Sequence, residues 1–202
     1  MTDSTHADPA TPPVKWSSII VSAYLPTLMS SLGYGAVIPL IPLTAVHIGA
    51  SAALAAAIAA LVGIGQIIGD VPAGWLVTKI GEKWSLVIAM LIDAVALVSM
   101  GLVHHLGLLA VAVFVNGMAG AVYGIARQNY LTVAIPYRYR ARALSTLGGV
   151  FRVGWFVGPM AGSWILREAS MSWAYGFASV ASVLAAAVTT VMPVSYTHLT
   201  LP

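Results

Sequence analysis

Six long apolar stretches, parted only by short polar connections, constrain this chain more than any other feature. They lie near Ser17–Leu43, Ala52–Val77, Trp84–Val103, Leu106–Tyr130, Ala143–Leu166 and Met171–Met192. About 20 apolar residues wound as a helix cross roughly 30 Å of hydrocarbon, and each stretch reaches that length. Inside a bilayer no water pairs with the backbone, so separate spans must satisfy their own hydrogen bonds as helices. The Ala-rich second stretch, with no two-residue alternation, reads the same way. Composition closes the soluble alternative: 59% of residues are hydrophobic and 7% charged, against about 25% charged in a soluble domain. In water such a chain would expose large apolar patches. The expected fold class is an all-α membrane protein with six transmembrane helices. The expected organisation is a polar tail over residues 1–16, a six-helix bundle over 17–193 and a distinct tail over 194–202.

The basic residues orient the bundle. With the N-terminus inside, Lys15, Lys79, Lys83, Arg127, Arg138, Arg140 and Arg142 fall on the inner side and Arg167 on the outer. Cytoplasmic loops carry the excess of Lys and Arg, so a cytoplasmic N-terminus is expected. Trp16 and Trp84 at inner boundaries and Trp173 near an outer one suit interfacial anchors. The first 15 residues hold Asp3, Asp8 and three prolines, unlike the basic start of a cleaved signal peptide, so the first span is expected to remain as an anchor. The net charge of +3 is dispersed over loops and reads as topology, with a lipid bilayer as partner and no nucleic acid. With no cysteine, disulfides and thiolate metal sites are excluded. His47, His104 and His105 sit in expected outer loops at spacings that suit no metal. Nucleophile-elbow, zincin and phosphate-loop patterns are missing, so neither an enzyme, nor direct ATP-driven pumping, nor a cofactor is expected.

An ionisable group at the centre of a membrane helix costs roughly 2.5–3.5 kcal/mol on insertion scales and is by default a functional candidate. Asp93 is nine residues past Trp84, about 13 Å deep at about 1.5 Å per residue, and is the candidate proton carrier. Arg152, at similar depth in the fifth stretch, is a candidate for an anionic substrate or for pairing with Asp93 or Asp70. Asp70 lies near the inner end of the second stretch and reads as a gate or latch contact. Arg127, ending the fourth, reads as an interfacial anchor. Among uncharged polar residues, Tyr24, Tyr34, Gln66, Asn116 and Tyr123 fall within spans. The first stretch holds Pro26, Pro39, Pro42, Gly33 and Gly35. A bent or broken helix is expected there, of the kind that lines transporter cavities.

Three elements resemble the N-terminal half of a major facilitator superfamily transporter, over about residues 17–193. The first is Leu32-Gly-Tyr-Gly-Ala-Val-Ile-Pro-Leu-Ile-Pro42, similar to the Gly-rich, Pro-ending first helix of many members. The second is the connection between spans two and three. The family pattern Gly-x3-Asp-Arg-x-Gly-Arg-Arg/Lys is matched by Gly74, Lys79, Gly81 and Lys83, while Thr78 replaces the aspartate and Glu82 a basic residue. In the family this loop helps latch the two halves. The third is Gly154-x3-Gly158-Pro159-x2-Gly162, resembling the antiporter motif Gly-x8-Gly-x3-Gly-Pro-x2-Gly-Gly, with Ser145 and Ser163 at its first and last glycines. Glycines four apart also make a flat face for close helix packing. Where many members carry an arginine ahead of a Gln-Gly pair, this chain has Val113 ahead of Asn116-Gly117.

The resemblance implies a secondary active transporter of the bacterial inner membrane that moves an unknown small solute by alternating access; direction and coupling ion stay open, with the span-five motif and Asp93 favouring proton-coupled efflux. It places Tyr34, Gln66, Asn116, Tyr123 and Arg152 as cavity candidates. Two alternatives stand beside it: a non-transporting six-helix membrane scaffold and a homodimeric half-transporter. The family has twelve spans in two halves. Residues 194–202, Val-Ser-Tyr-Thr-His-Leu-Thr-Leu-Pro, match the translation of a transposon-end adapter used in sequencing libraries. The expectation is that Pro193 is the last native residue and that the full product continues into a second six-helix half.

Overall fold

The computed structural model describes residues 23–191; the tails over 1–16 and 194–202, and the first residues of the first span, lie outside them. Six helical elements follow in order: α1 Leu25–Val37, α2 Leu40–His47, α3 Ala52–Leu102, α4 Leu106–Ala134, α5 Tyr137–Glu168 and α6 Met171–Val191. The chain is an all-α membrane protein, with no strand among the described residues.

Prolines and glycines set most of the boundaries. Pro26 sits in the first turn of α1, where no backbone N–H is needed. Pro39 stands at the junction of α1 and α2 and heads the second piece, so the first span is broken as expected. Gly49, with φ of 106°, turns the chain out of α2. Ser51 starts α3 by accepting a hydrogen bond from Leu54 N at 3.3 Å, an N-cap. Pro136 disfavours helical backbone at the residue before it, and α4 stops at Ala134 accordingly. Both α4 and α5 extend a turn or more beyond the expected limits of Tyr130 and Ala143.

The second and third stretches are joined more tightly than a loop would join them. They share the 51-residue range Ala52–Leu102, in which two helices meet across a kink at Gly81, so that Gly65 and Asp93, on either side of the kink, both reach the middle of α4. Gly81 alone is non-helical inside it, with φ of 81° and ψ of 165°. That backbone region is essentially restricted to glycine. The connection expected over Gly74–Lys83 is therefore helical except for a one-residue break. Four segments are long and apolar enough to cross a membrane: Leu25–His47, Ala52–Leu102, Leu106–Ala134 and Met171–Val191. The six expected stretches give four such segments because the two helices that meet at Gly81 lie in one range and because α5 carries Arg152 amid glycines, serines and Pro159 in its apolar part.

Within the bundle α4 runs along α3, α1 packs on α5 and α6, and α6 packs on α3. One apolar cluster, including Ile41, Met100, Leu109 and Tyr175, fills the end that holds the turns after α2, α3 and α5. A second, around Val77, Leu86 and Ala126, fills the opposite half. The outer surface is as apolar as the core: Val71 is 81% exposed and Phe156 76%. Such a surface matches lipid and would be unstable in water.

Candidate functional site

Between the two apolar clusters lies a cavity of about 520 Å³ whose walls come from α1, α3, α4 and α5. Tyr34, Gln66, Asp93, Asn116, Tyr123 and Arg152 all line it. These residues are up to 118 positions apart in sequence (152 − 34), and the fold brings them onto one surface.

Two short hydrogen-bonded groups organise the walls. Gln66 Nε2 donates to Tyr34 Oη at 3.1 Å, tying α1 to the first half of α3. Asp93, half-buried in the second half of α3, accepts from Asn116 Nδ2 at 2.5 Å and from Ser182 Oγ at 2.6 Å. Each carboxylate oxygen thus has a donor, one from α4 and one from α6. Charge-assisted bonds of this kind are stronger than neutral ones, and they hold the carboxylate at the meeting point of three helices. Ser182 escaped sequence reading. A lone serine in an apolar helix gives no signal until its face is known.

Arg127 departs from expectation. It does not end the helix: α4 continues past it to Ala134, and its side chain joins the cavity wall. The guanidinium carbon lies 5.4 Å from the Tyr123 ring centre and 5.1 Å from that of Phe151, within cation–π range of both. Its Nε and Nη1 are buried with no hydrogen-bond partner. A buried donor left unmade costs about 1–3 kcal/mol, more when charged. Arg152, exposed on the cavity wall, forms no ion pair with Asp93 or Asp70. Asp93 is instead held by neutral donors. Asp70 is exposed and lies away from the cavity lining.

The two motifs lie outside the cavity proper. In the connection, Thr78 Oγ1 donates to Trp75 O at 2.8 Å, and Lys83 Nζ donates to Thr190 O at 2.9 Å, fastening the break at Gly81 to the end of α6. Gly74 has open space around it. The span-five glycines form the contact between α5 and α1. A Cβ on Gly158 would lie 2.6 Å from Leu32 O, and one on Gly162 2.7 Å from Ala36 O. Gly154 would meet Ser31 Oγ, and Gly35, from the other side, Trp155 O at 2.8 Å. Pro159 follows Gly158 within the same helix. A second glycine seam, unremarked in the sequence, joins α3 to α4: a Cβ on Gly65 would meet Phe114 O and one on Gly117 Val62 O, both below 2.4 Å. The signal was there in Gly65-x3-Gly69, a small-x3-small pair.

Comparison with known proteins agrees with this architecture. The family model described as Major Facilitator Superfamily matches residues 23–200. An uncharacterised MFS-type transporter of Mycobacterium tuberculosis (strain H37Rv) is 25% identical over 167 residues, covering 83% of this chain and 24% of that protein. The class H tetracycline resistance protein of Pasteurella multocida is 28% identical over 171 residues, covering 80% of this chain and 40% of that protein. The chain therefore spans about a quarter to two fifths of the length of these relatives. With its family model matched over most of its length, the chain belongs to the Major Facilitator Superfamily.

Proposed function

We propose that the chain forms the N-terminal six-span half of a twelve-span secondary transporter, which moves a small solute across the bacterial inner membrane by alternating access. The observation that carries this reading is the cavity: charged and polar side chains from four helices converge at mid-bundle, inside a shell of membrane-length apolar helices. In this reading the break at Gly81 separates spans two and three, and α5 is the fifth span despite its arginines. The N-terminus is cytoplasmic, by the excess of Lys and Arg on that side. Tyr34, Gln66, Asn116, Tyr123 and Arg152 contact solute, and Asp93 carries the coupling proton in an efflux antiport. Its donors Asn116 and Ser182 come from separate helices, so a change in carboxylate charge is felt by α4 and α6 together. A relative named as a tetracycline resistance protein is in keeping with export as the direction.

Two experiments test this. Reading the gene past codon 193 should reveal six further apolar spans; a stop codon within a few residues would bring forward the scaffold or half-transporter. The full-length product in proteoliposomes should take up tetracycline, used as a probe, against an imposed proton gradient. Asp93→Asn should abolish the gradient dependence, and unchanged coupled flux in that variant removes Asp93 from the mechanism.

A further inference from the structure

Resting on the transporter reading, the charge balance of the cavity goes a step further and names the solute class. One acidic and two basic side chains face it: Asp93, Arg127 and Arg152. The carboxylate is answered within the fold, one donor on each oxygen. Among the described residues the guanidinium groups meet no carboxylate, and Arg127 is answered only by the neutral Tyr123 side chain and the Phe151 ring. Neither forms an ion pair with a carboxylate among the described residues, and the buried Nε and Nη1 of Arg127 have no hydrogen-bond partner. A planar guanidinium matches two oxygens of a carboxylate or phosphate along either edge that includes Nη2, and the Arg127 side chain lines the cavity. The fork is held in place by the rings of Tyr123 and Phe151, which fix its plane at little entropic cost. Trp155 and Phe151 add aromatic surface to the same wall, and the volume of about 520 Å³ lies within the range of small-molecule sites.

We infer that the cavity takes an organic anion: a carboxylate-bearing aromatic or amphipathic molecule, its acid group on Arg127 with Arg152 beside it and its apolar body against Phe151 and Trp155. A cation is disfavoured, since two positive charges would oppose it and the one carboxylate is already engaged.

The test uses the full-length product in lipid nanodiscs and three probes of one shape: 1-naphthoate, 1-naphthamide and 1-naphthylmethylamine, measured by equilibrium dialysis. Naphthoate should bind at least tenfold more tightly than the amide, and the amine weakest. Arg127→Gln and Arg152→Gln should each lower naphthoate affinity tenfold or more and leave the amide within about twofold, with Arg127→Lys recovering part of the loss. Arg167→Gln, removing an exposed charge outside the cavity, should change nothing. Tighter binding of the amine or the amide overturns the anion assignment and leaves the transporter reading standing. Equal losses for naphthoate and amide in Arg127→Gln assign that side chain to structure and overturn the assignment too. Binding of none of the three, together with no tetracycline flux, overturns both readings.

Discussion

Two helix seams hold this bundle together, and they are built alike but used differently. The seam between α1 and α5 brings Gly35, Gly154, Gly158 and Gly162 against backbone, and its polar neighbours Tyr34, Trp155 and Arg152 project from its rim into the cavity. The seam between α3 and α4 brings Gly65, Gly69 and Gly117 together, but Asn116, beside the central glycine, reaches across to Asp93. The first seam is packing with function at its edge. In the second, packing and the charged group are coupled, because the glycine contact sets the position of the amide that holds the carboxylate. A glycine motif therefore reports how closely two helices approach, and the residue next to it decides whether that approach carries chemistry.

The sharpest way to break this comparison is to add one methyl group to each seam. Overpacking a tight contact costs typically about 1–3 kcal/mol. Gly117→Ala should reach the top of that range or beyond, since the new Cβ meets the backbone of Val62, which cannot rotate away. It should also disturb Asp93, seen as loss of proton-dependent flux in whatever protein remains folded. Gly154→Ala should cost less, because the Ser31 hydroxyl can turn aside and the fixed obstacles behind it, Ser31 Cβ at 2.9 Å and Leu32 N at 3.0 Å, stand farther off than Val62 O does from Gly117. Thermal unfolding in detergent measures both, and equal losses would sink the distinction between the seams. Next in size, Gly81→Ala forces a side chain into a backbone region that costs about 1–3 kcal/mol; a lowered midpoint with cavity binding intact is expected. Ser182→Ala removes one donor from Asp93 and should cost about 1–2 kcal/mol, with a change in the pH dependence of flux; Thr44→Val removes a buried 2.8 Å bond to Tyr175 at about 1 kcal/mol with none. The smallest effect belongs to Gly124→Ala, where nothing lies within 4 Å. A stability change within about 0.5 kcal/mol is expected, the usual range for substitutions away from special features.

Topology invites one further check. The chain has no cysteine, so single introduced cysteines report cleanly. His104→Cys should react with an impermeant maleimide from outside the cell and Glu82→Cys only after permeabilisation; the reverse pattern would invert the proposed orientation.

Hydropathy and the rules of backbone pairing were enough to read, from the chain alone, an all-helical membrane protein, a bent or broken first span and a resemblance to one transporter superfamily. These are local properties: apolar length, proline's missing donor and a short motif need no knowledge of neighbours. Asp93 and Arg152 stood out in the same way, because a charge inside an apolar run is costly wherever the run packs. What the tertiary structure decided is pairwise. Arg152 and Asp93 both face the cavity but are not partners. Asp93 is held instead by Asn116 and by a serine from α6. Arg127, which looked like a helix end, is a cavity wall stacked between two rings. Spans two and three are two helices that meet across a kink at Gly81. The span-five glycines turned out to face α1, and a second seam answers them between α3 and α4. Sequence records which groups a helix carries, whereas the rotation and crossing of helices, set by where glycine lets backbones touch, decide which of those groups meet.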